Sequence, residues 1–278
     1  MTMTATADAL KRLEDELGRY ESLVVAFSGG ADSALLAYVA TSSLGRERVL
    51  CATAVSPSLA QDELADVQNL ASEWRLDHVL VDTHELDDPE YAKNDLSRCF
   101  YCKQELMEVL VPIAEQRRAS VALGVNLDDL GDWRPGQKAA ADKGGVFPFV
   151  DARLDKTLVR EISKELGLRT WDKPAAACLS SRVPHGTPVT VSVLSKVDRA
   201  EAALRRLGFS ALRVRHYDDT ARVELEIADL HAAIDAREAI TEALHRVGYR
   251  YVTLDLEGLR SGNLSQHALA KIKDRGNR

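Results

Sequence analysis

The sequence predicts an α/β protein, a parallel sheet wound through helices, followed by a smaller α+β unit. Three observations lead there. Apolar runs at 24–27, 49–55, 78–82 and 120–124 alternate with helical patterns at the spacing of βαβ units. The first run ends in Ser28-Gly29-Gly30 and passes at once into a helical pattern beginning near Asp32. After Thr187-Pro188 the order becomes α-β-β-α-β, which sets a domain boundary near residue 186 and divides the chain into 1–186 and 187–278.

Each element has its own signal. Residues 8–21 read as a charge-rich amphipathic helix with Leu10, Leu13 and Leu17 at helical spacing. The run at 49–55 is a buried strand stopped by Ser56-Pro57, and a helix at 60–74 leads to a third strand at 78–82. From 83 to 98 the chain is acidic and irregular. Cys99-Phe100-Tyr101-Cys102 closes that stretch, ahead of a helix from 103 to about 118. The strand at 120–124 runs into Val125-Asn126-Leu127-Asp128-Asp129. A loop at 131–136, a short alanine-rich helix, an extended piece at 146–149 and a helix at 155–166 capped by Gly167 follow. Residues 171–186, with Pro174 and Pro184, read as a constrained loop. The C-terminal unit then offers a helix at 190–207, strands at 211–217 and 221–227, a helix at 229–247 and a strand at 249–256. In an open α/β sheet ligand groups gather at strand carboxyl ends, where the Ser-Gly-Gly turn, Ser56-Pro57 and residues 126–129 all fall.

Composition narrows the function. A 278-residue chain that is 45% hydrophobic can bury a sizeable core, and no apolar run is long enough to span a membrane. The first residues lack the basic and apolar regions of a signal peptide, so a cytoplasmic location is expected. A net charge of -7 argues against a broad nucleic-acid surface, and the basic tail at 271–278 reads as a solvated end. Four cysteines in a chain of this length do not make a disulfide framework; in a reducing compartment they point to metal or sulfur chemistry. A homo-oligomer is expected, its order unspecified by the sequence.

The Ser28–Ser33 loop is suited to an anion. Two glycines let backbone N–H groups converge, the helix start adds unpaired donors and the positive end of its dipole, and Ser28 and Ser33 add hydroxyls. A lysine-bearing G-x-x-x-x-G-K-[ST] loop and the dinucleotide G-x-G-x-x-G spacing are both absent. The whole string S-G-G-x-D-S, between an apolar strand and an apolar helix, resembles the PP-loop of ATP pyrophosphatases, which cleave ATP between its α and β phosphates and adenylate a substrate. ATP contacts are therefore expected at Ser28, Gly29, Gly30, Asp32, Ser33, Asn126 and Asp129. Asp32 is either an N-terminal helix cap or the ligand of a Mg²⁺ that neutralises the leaving group. Asp128 and Asp129 are either an Asx-rich turn or a metal or ribose contact.

Cys99 and Cys102 have the spacing by which two thiolates share one metal, and equally that of a redox pair or half a zinc site. Cys178 lies in a small-residue loop where Arg182 and Lys173 are expected to favour its thiolate. Cys51, in mid-strand, is expected in the core. Arg213 and Arg215 alternate along a strand and so share a face, which suits a phosphate or a solvated sheet surface.

A more specific resemblance rests on motifs in one order: S-G-G-A-D-S at 28–33, R-C-F-Y-C-K at 98–103, G-V-N-x-D-D at 124–129, R-P-G at 134–136, A-C-L-S-S-R at 177–182, R-V-R-H-Y at 213–217 and A-R-V-E at 221–224. Together they resemble the ATP-dependent sulfur transferases that build the nickel-pincer cofactor of lactate racemase, over nearly the whole chain. The resemblance implies adenylation of a carboxylate of pyridinium-3,5-dicarboxylate mononucleotide, release of pyrophosphate, and replacement of AMP by sulfur. In one branch Cys178 itself gives up the sulfur and becomes dehydroalanine. In a branch with three cysteines, Cys99, Cys102 and Cys178 hold a [4Fe–4S] cluster whose fourth iron carries a sulfide. A structural zinc or unrelated thiols stay open as alternatives. The resemblance also places Arg182, Arg213, Arg215, Glu201 and Glu224 around the substrate, though Glu201 equally fits a helix-surface charge. Competing readings are a tRNA thiolase, an amide-forming synthetase and an ATP-binding regulatory module.

Overall fold

The computed structural model describes residues 3–131, 135–174 and 177–260; the tail at 271–278 lies outside them. Along the chain come α1 (Met3–Leu17), β1 (Leu23–Ala26), α2 (Ala31–Leu44), β2 (Val49–Val55), α3 (Gln61–Glu73), β3 (Asp77–Asp82), α4 (Pro89–Ala92), α5 (Arg98–Arg117) and β4 (Ser120–Ala122). After them come α6 (Pro135–Asp142), α7 (Pro148–Asp151), α8 (Lys156–Glu165), α9 (Val191–Arg206), β5 (Leu212–Tyr217), β6 (Thr220–Leu225), α10 (Leu230–Asp235), α11 (Arg237–Val247) and β7 (Tyr251–Leu254). The predicted α/β class holds. Among the described residues no helix is long and apolar enough to cross a membrane.

The chain packs as two compact units that interleave along the sequence. One draws on the chain up to Ser56, on Glu63–Glu85 and on the stretch from Cys99 to residue 174. The other draws on Pro57–Asp62, on Leu86–Arg98 and on the chain from Ala177 onward.

The first unit is a four-stranded sheet in the order β3-β2-β1-β4, parallel throughout. Side chains alternate between its faces, and both faces are apolar. Leu23 and Val25 of β1, with Val49 and Cys51 of β2, enter a core shared with Leu13 and Leu17 of α1, Leu35 and Leu36 of α2, and Val159 and Ile162 of α8. Val24, Leu50 and Ala52 face the other way, onto Leu106, Met107 and Leu110 of α5. Cys51 is thus core, as expected, and burial pushes its thiol up to about 12. The chain runs outward from β1 to β3 and then places β4 on the opposite flank of β1, so the strand order reverses between β1 and β4. That is where a ligand crevice forms in such sheets.

The second unit has a three-stranded sheet, β5-β6-β7, antiparallel between β5 and β6 and parallel between β6 and β7. Its core joins Ala200 and Leu204 of α9 to Val214, Val223 and Leu225 of the sheet and to Ile240 and Leu244 of α11. The insert at 86–98 is anchored in this unit. Asn94, fully buried, donates from Nδ2 to the carbonyls of Val183 (3.2 Å), Pro184 (3.0 Å) and Thr187 (2.9 Å).

Three expectations need correction. Cys99 and Cys102 do not precede their helix: α5 starts at Arg98, so both lie in its first turn. The Asp95 carboxylate, which accepts from Ser97 N (2.7 Å) and Ser97 Oγ (2.5 Å), turns the chain into the helix earlier than the apolar pattern indicates. Only Val146 of the stretch 146–149 pairs, bridging to Ala122, because Pro148 starts the single turn of α7. The helix at 229–247 is broken at Ala236 into α10 and α11, a break that no residue type there signals.

Where β4 ends, Gly124 brings the backbone against the first turn of α2. A Cβ at Gly124 would lie 2.9 Å from Ser33 N and 3.0 Å from the Asp32 carbonyl carbon, both main-chain atoms that cannot yield cheaply. Gly124→Ala is expected to cost about 1–3 kcal/mol by overpacking, read as a lower urea midpoint at unchanged slope.

Candidate active site

The Ser28–Ser33 loop leaves β1 at the point of strand-order reversal. Gly29 has φ +68, and a Cβ there would sit 2.6 Å from Val67 Cγ2, so both the conformation and the packing call for glycine. The two serines close the turn on itself: Ser28 N donates to Ser33 Oγ (3.2 Å), and the hydroxyls are 3.0 Å apart. Gly30 is the N-cap of α2 and no side chain caps the helix, so Asp32 is not its cap. The α2 N-terminus therefore presents amides and the positive end of its dipole to the crevice.

Asp32 is instead a tie-point. Its Oδ1 accepts from Asn126 Nδ2 at 3.1 Å and its Oδ2 from Lys156 Nζ at 2.5 Å. Asn126, almost fully buried, follows β4 across the crevice from β1. The turn it begins is an Asx turn, as one reading of the sequence had it. Asn126 N donates to Asp129 Oδ2 (3.1 Å), Asp128 N to Asn126 Oδ1 (3.1 Å), and Lys156 N to Asp128 Oδ2 (2.9 Å). Asp32 is thus the carboxylate in the first turn of α2, with the Asn126 amide beside it, while Asp128 and Asp129 are taken up in the turn. Mg²⁺ bound with nucleotide takes one or two carboxylates and fills its sphere with phosphate and water, so the Asp32 carboxylate fits it.

The cysteines divide between the units. Cys99 and Cys102, three residues apart in the first turn of α5, project from one side of that helix, Cys99 exposed and Cys102 half-buried. Thiols are the soft donors that iron–sulfur clusters use, and the pair fits that chemistry. Within neither unit do three His, Cys, Asp or Glu side chains gather as a metal site, among the described residues. Cys178 belongs to the second unit, exposed at the head of a 3-10 turn, Leu179–Arg182. That loop is braced from below. The hydroxyls of Ser58, Tyr91 and Ser180 form a buried triangle with edges of 2.7, 2.8 and 3.2 Å, and Arg98 donates to the Ser180 carbonyl at 2.8 Å.

Both basic residues expected beside Cys178 have carboxylate partners. Lys173 Nζ is bonded to Glu63 (2.9 Å) and Asp66 (2.7 Å). Arg182 grips the main chain of the cysteine loop, donating to the carbonyls of Ala177 (2.6 Å) and Cys178 (3.4 Å), while its Nε and Nη2 pair with Glu201 at 2.9 and 3.2 Å. Glu201 is not a helix-surface charge: it is fully buried and accepts in addition from Val214 N (3.0 Å) and Arg205 (3.3 Å).

Arg213 and Arg215 share a face of β5, but their guanidinium groups are not equivalent. Arg215 is buried and forked onto the fully buried Glu224 at 3.0 and 2.9 Å, with a third bond to the Ser181 carbonyl at 2.7 Å. Arg213 donates to the Arg260 carbonyl at 2.8 Å, and no carboxylate pairs with it among the described residues. Burial, then the neighbouring Arg182 and Arg215, push its pKa below the usual arginine value.

Sequence reasoning did not single out Lys156, Arg205, Tyr91 or Asn94. Lys156 carried a signal: it is the first residue of α8 after its N-cap Asp155, where the helix dipole disfavours a cation. Tyr91 and Asn94 carried none, since their partners Ser180, Val183, Pro184 and Thr187 are distant in sequence.

Comparison with known proteins follows from these features. The NAD synthase family matches residues 3–98. A pyridinium-3,5-bisthiocarboxylic acid mononucleotide synthase of Lactiplantibacillus plantarum is 35% identical over 246 residues, covering 88% of this chain and 89% of that protein. An uncharacterised protein of Synechocystis is 43% identical over 260 residues, covering 92% and 97%. One from Methanocaldococcus jannaschii is 29% identical over 253 residues, covering 91% and 96%.

Removing Glu201 strands the buried Arg182 charge and the Val214 amide together. Glu201→Ala is expected to cost about 3–5 kcal/mol and Glu201→Gln clearly less, because the amide oxygen still accepts from Val214; chemical denaturation of both variants reads the difference.

Proposed function

The chain belongs to the PP-loop family that includes pyridinium-3,5-bisthiocarboxylic acid mononucleotide synthase, and from that premise we propose that it is an ATP-dependent sulfurtransferase of nickel-pincer cofactor synthesis. Its substrate is the pyridinium dicarboxylate mononucleotide and its product a thiocarboxylate. The observation that carries the ATP half is the uncapped start of α2 with the Asp32 carboxylate in its first turn. A pyrophosphate needs that pairing of converging amides with an anchor for its counter-ion.

In this reading the loop amides and the hydroxyls of Ser28 and Ser33 bind the phosphates of ATP, and Asn126 and Asp129 orient the nucleotide. Asp32 holds Mg²⁺, which supplies charge neutralisation to the departing pyrophosphate. The substrate carboxylate attacks the α-phosphorus, giving an acyl-adenylate. Arg213, with Arg182 and Arg215, takes the substrate's phosphate, and Glu201 and Glu224 hold those arginines in place. The region to residue 186 carries the activation site, the cysteine-bearing loops and Arg182, and the remainder serves substrate binding and self-association in a homo-oligomer.

Sulfur transfer centres on Cys178. On the sacrificial route its thiolate displaces AMP from the acyl-adenylate; loss of the Cα proton and cleavage of the Cβ–S bond then leave thiocarboxylate and dehydroalanine. On the cluster route Cys99, Cys102 and Cys178 hold a [4Fe–4S] cluster, which supplies the transferable sulfide. We favour the cluster route because the Cys99–Cys102 pair occupies one side of a helical turn. A cytoplasmic setting belongs to the same proposal, since thiols stay reduced there. The basic surface that a tRNA thiolase needs is not apparent in a chain of net charge -7.

Pyrophosphate release from ATP and the dicarboxylate substrate is the direct assay; release that does not depend on the substrate would overturn the reading. Cys178→Ala is expected to abolish thiocarboxylate while adenylation persists, and Asp32→Ala to abolish adenylation. Intact mass after one turnover separates the routes: a loss of about 34 Da marks the sacrificial cysteine, whereas unchanged mass with bound iron and labile sulfide marks the cluster.

Arg213→Met is expected to leave the melting temperature unchanged or raise it, because it removes a charge opposed by its surroundings, while KM for the mononucleotide rises roughly tenfold or more. A parallel loss of stability would remove Arg213 from the phosphate site.

A further inference from the structure

Two thiols in one helical turn can react with each other as well as with a metal. Cys99 and Cys102 lie three residues apart in the first turn of α5, on one side of the helix. Helical geometry puts their Cα atoms about 5 Å apart, inside the range of roughly 4.4–6.8 Å that a disulfide bridges. The turn is also held in place. Gly136, at the start of α6, packs so closely on it that a Cβ there would lie 2.7 Å from the Cys99 carbonyl oxygen and 2.7 Å from Lys103 Cγ. The main chain carrying the pair is therefore fixed in advance, which favours an intramolecular reaction between the two sulfurs. Exposure separates their roles: Cys99 is open to solvent and Cys102 is half-buried. An incoming disulfide meets the outer sulfur, and the inner one is placed to attack the mixed disulfide that results. The third thiol of this unit does not compete. Cys51 is fully buried in β2, where burial pushes it up to about 12. Within the unit no third His, Cys, Asp or Glu side chain completes a metal site with the pair, among the described residues. The chemistry that the two sulfurs can carry out by themselves is disulfide formation.

We propose that Cys99 and Cys102 form a reversible disulfide by exchange with a low-molecular-weight disulfide, and that this state closes the pair to metal. The Cys99 thiolate attacks one sulfur of RSSR, forming Cys99–S–SR and releasing RS⁻. The Cys102 thiolate then displaces the second RS⁻ and closes the internal bond. The pair loses two electrons and two protons, and RSSR becomes two RSH. A metal is bound by thiolate, which neither sulfur is once bridged. Loading of the pair is thus conditional on the thiol–disulfide balance around the protein, a redox-sensing use of cysteine that fits a reducing compartment. The effect on sulfur delivery rests on the cluster reading above; the disulfide itself does not.

The test uses the full chain, purified without oxygen, stripped of metal and reduced, then equilibrated in glutathione buffers of varied reduced-to-oxidised ratio. Acid quenching, alkylation and trypsin release Cys99–Lys103 as one peptide that records both sulfurs. As oxidised glutathione rises, that peptide is expected to lose both alkylation sites together and to fall about 2 Da below its reduced mass, with dithiothreitol restoring it. Cys102→Ser is expected to trap glutathione on Cys99, and Cys99→Ser to take it up at Cys102 at least tenfold more slowly. Two alkylatable thiols at every ratio, glutathione on both positions of the wild type, or a bridge to Cys178 in place of the internal one overturns the proposal. Cd²⁺, which seeks thiolates and reduces nothing, reads the closure: calorimetric titration is expected to show at least tenfold weaker binding by the oxidised protein, and equal binding overturns it. Iron and labile sulfide, measured after anaerobic reconstitution of the reduced protein, report on the cluster separately. If neither is taken up and the disulfide forms, the cluster reading fails and the redox pair stands. If the cluster assembles and no internal disulfide forms, the redox pair alone fails.

Discussion

The first unit turns on one carboxylate. Asp32 joins the first turn of α2, the turn after β4 and the start of α8, three pieces of chain brought together because parallel strands all end at the same edge of their sheet. Reversal of strand order between β1 and β4 opens the crevice, and the α2 amides supply its positive wall. A negative group at the centre of that wall fixes the spacing of the donors around it. Without it Asn126 and Lys156 would have no shared partner, and the close approach of Gly124 to the α2 backbone would bring together surfaces with nothing to align them.

The second unit solves a different electrostatic problem. Arg182, Arg213 and Arg215 would repel one another in a partly desolvated space, and two fully buried glutamates hold two of them by forked hydrogen bonds. Buried pairs of this kind add little net stability over apolar packing; their value is geometric, because each carboxylate fixes a guanidinium in one orientation. The arginine left over, Arg213, forms no ion pair with a carboxylate among the described residues and donates instead to the Arg260 carbonyl.

Much of this was legible in the residue order, for a physical reason. Strands, helices and the Ser28–Ser33 junction follow from periodicity and from glycine, both local properties. Cys51 could be assigned to the core from its strand alone. The readings that failed concern partners supplied from elsewhere in the chain. Glu201 has the neighbours of a surface helical residue, and only the arrival of Arg182 and the Val214 amide makes its burial tolerable. Tyr91 and Asn94 sit in a stretch whose acidity suggests an open loop, yet both are fully buried. The start of α5 was misplaced because an Asx turn at Asp95, rather than an apolar pattern, leads into it. Lys156 shows the opposite case: a local rule was broken in plain view, and the tertiary partner explains why.

The interleaving of the two units has a consequence for biogenesis. The second unit cannot be completed by its C-terminal stretch alone, since Ser58, Tyr91 and Asn94 brace the Cys178 loop from segments made more than eighty residues earlier. On the ribosome those segments emerge with nothing to pack against and stay exposed until residues beyond 177 arrive. Contacts of such long sequence separation slow folding and lengthen the interval in which apolar side chains are unprotected. The loop bearing Cys178 thus acquires its brace only late in synthesis, and the thiol spends that interval in a chain that has not yet decided its surroundings.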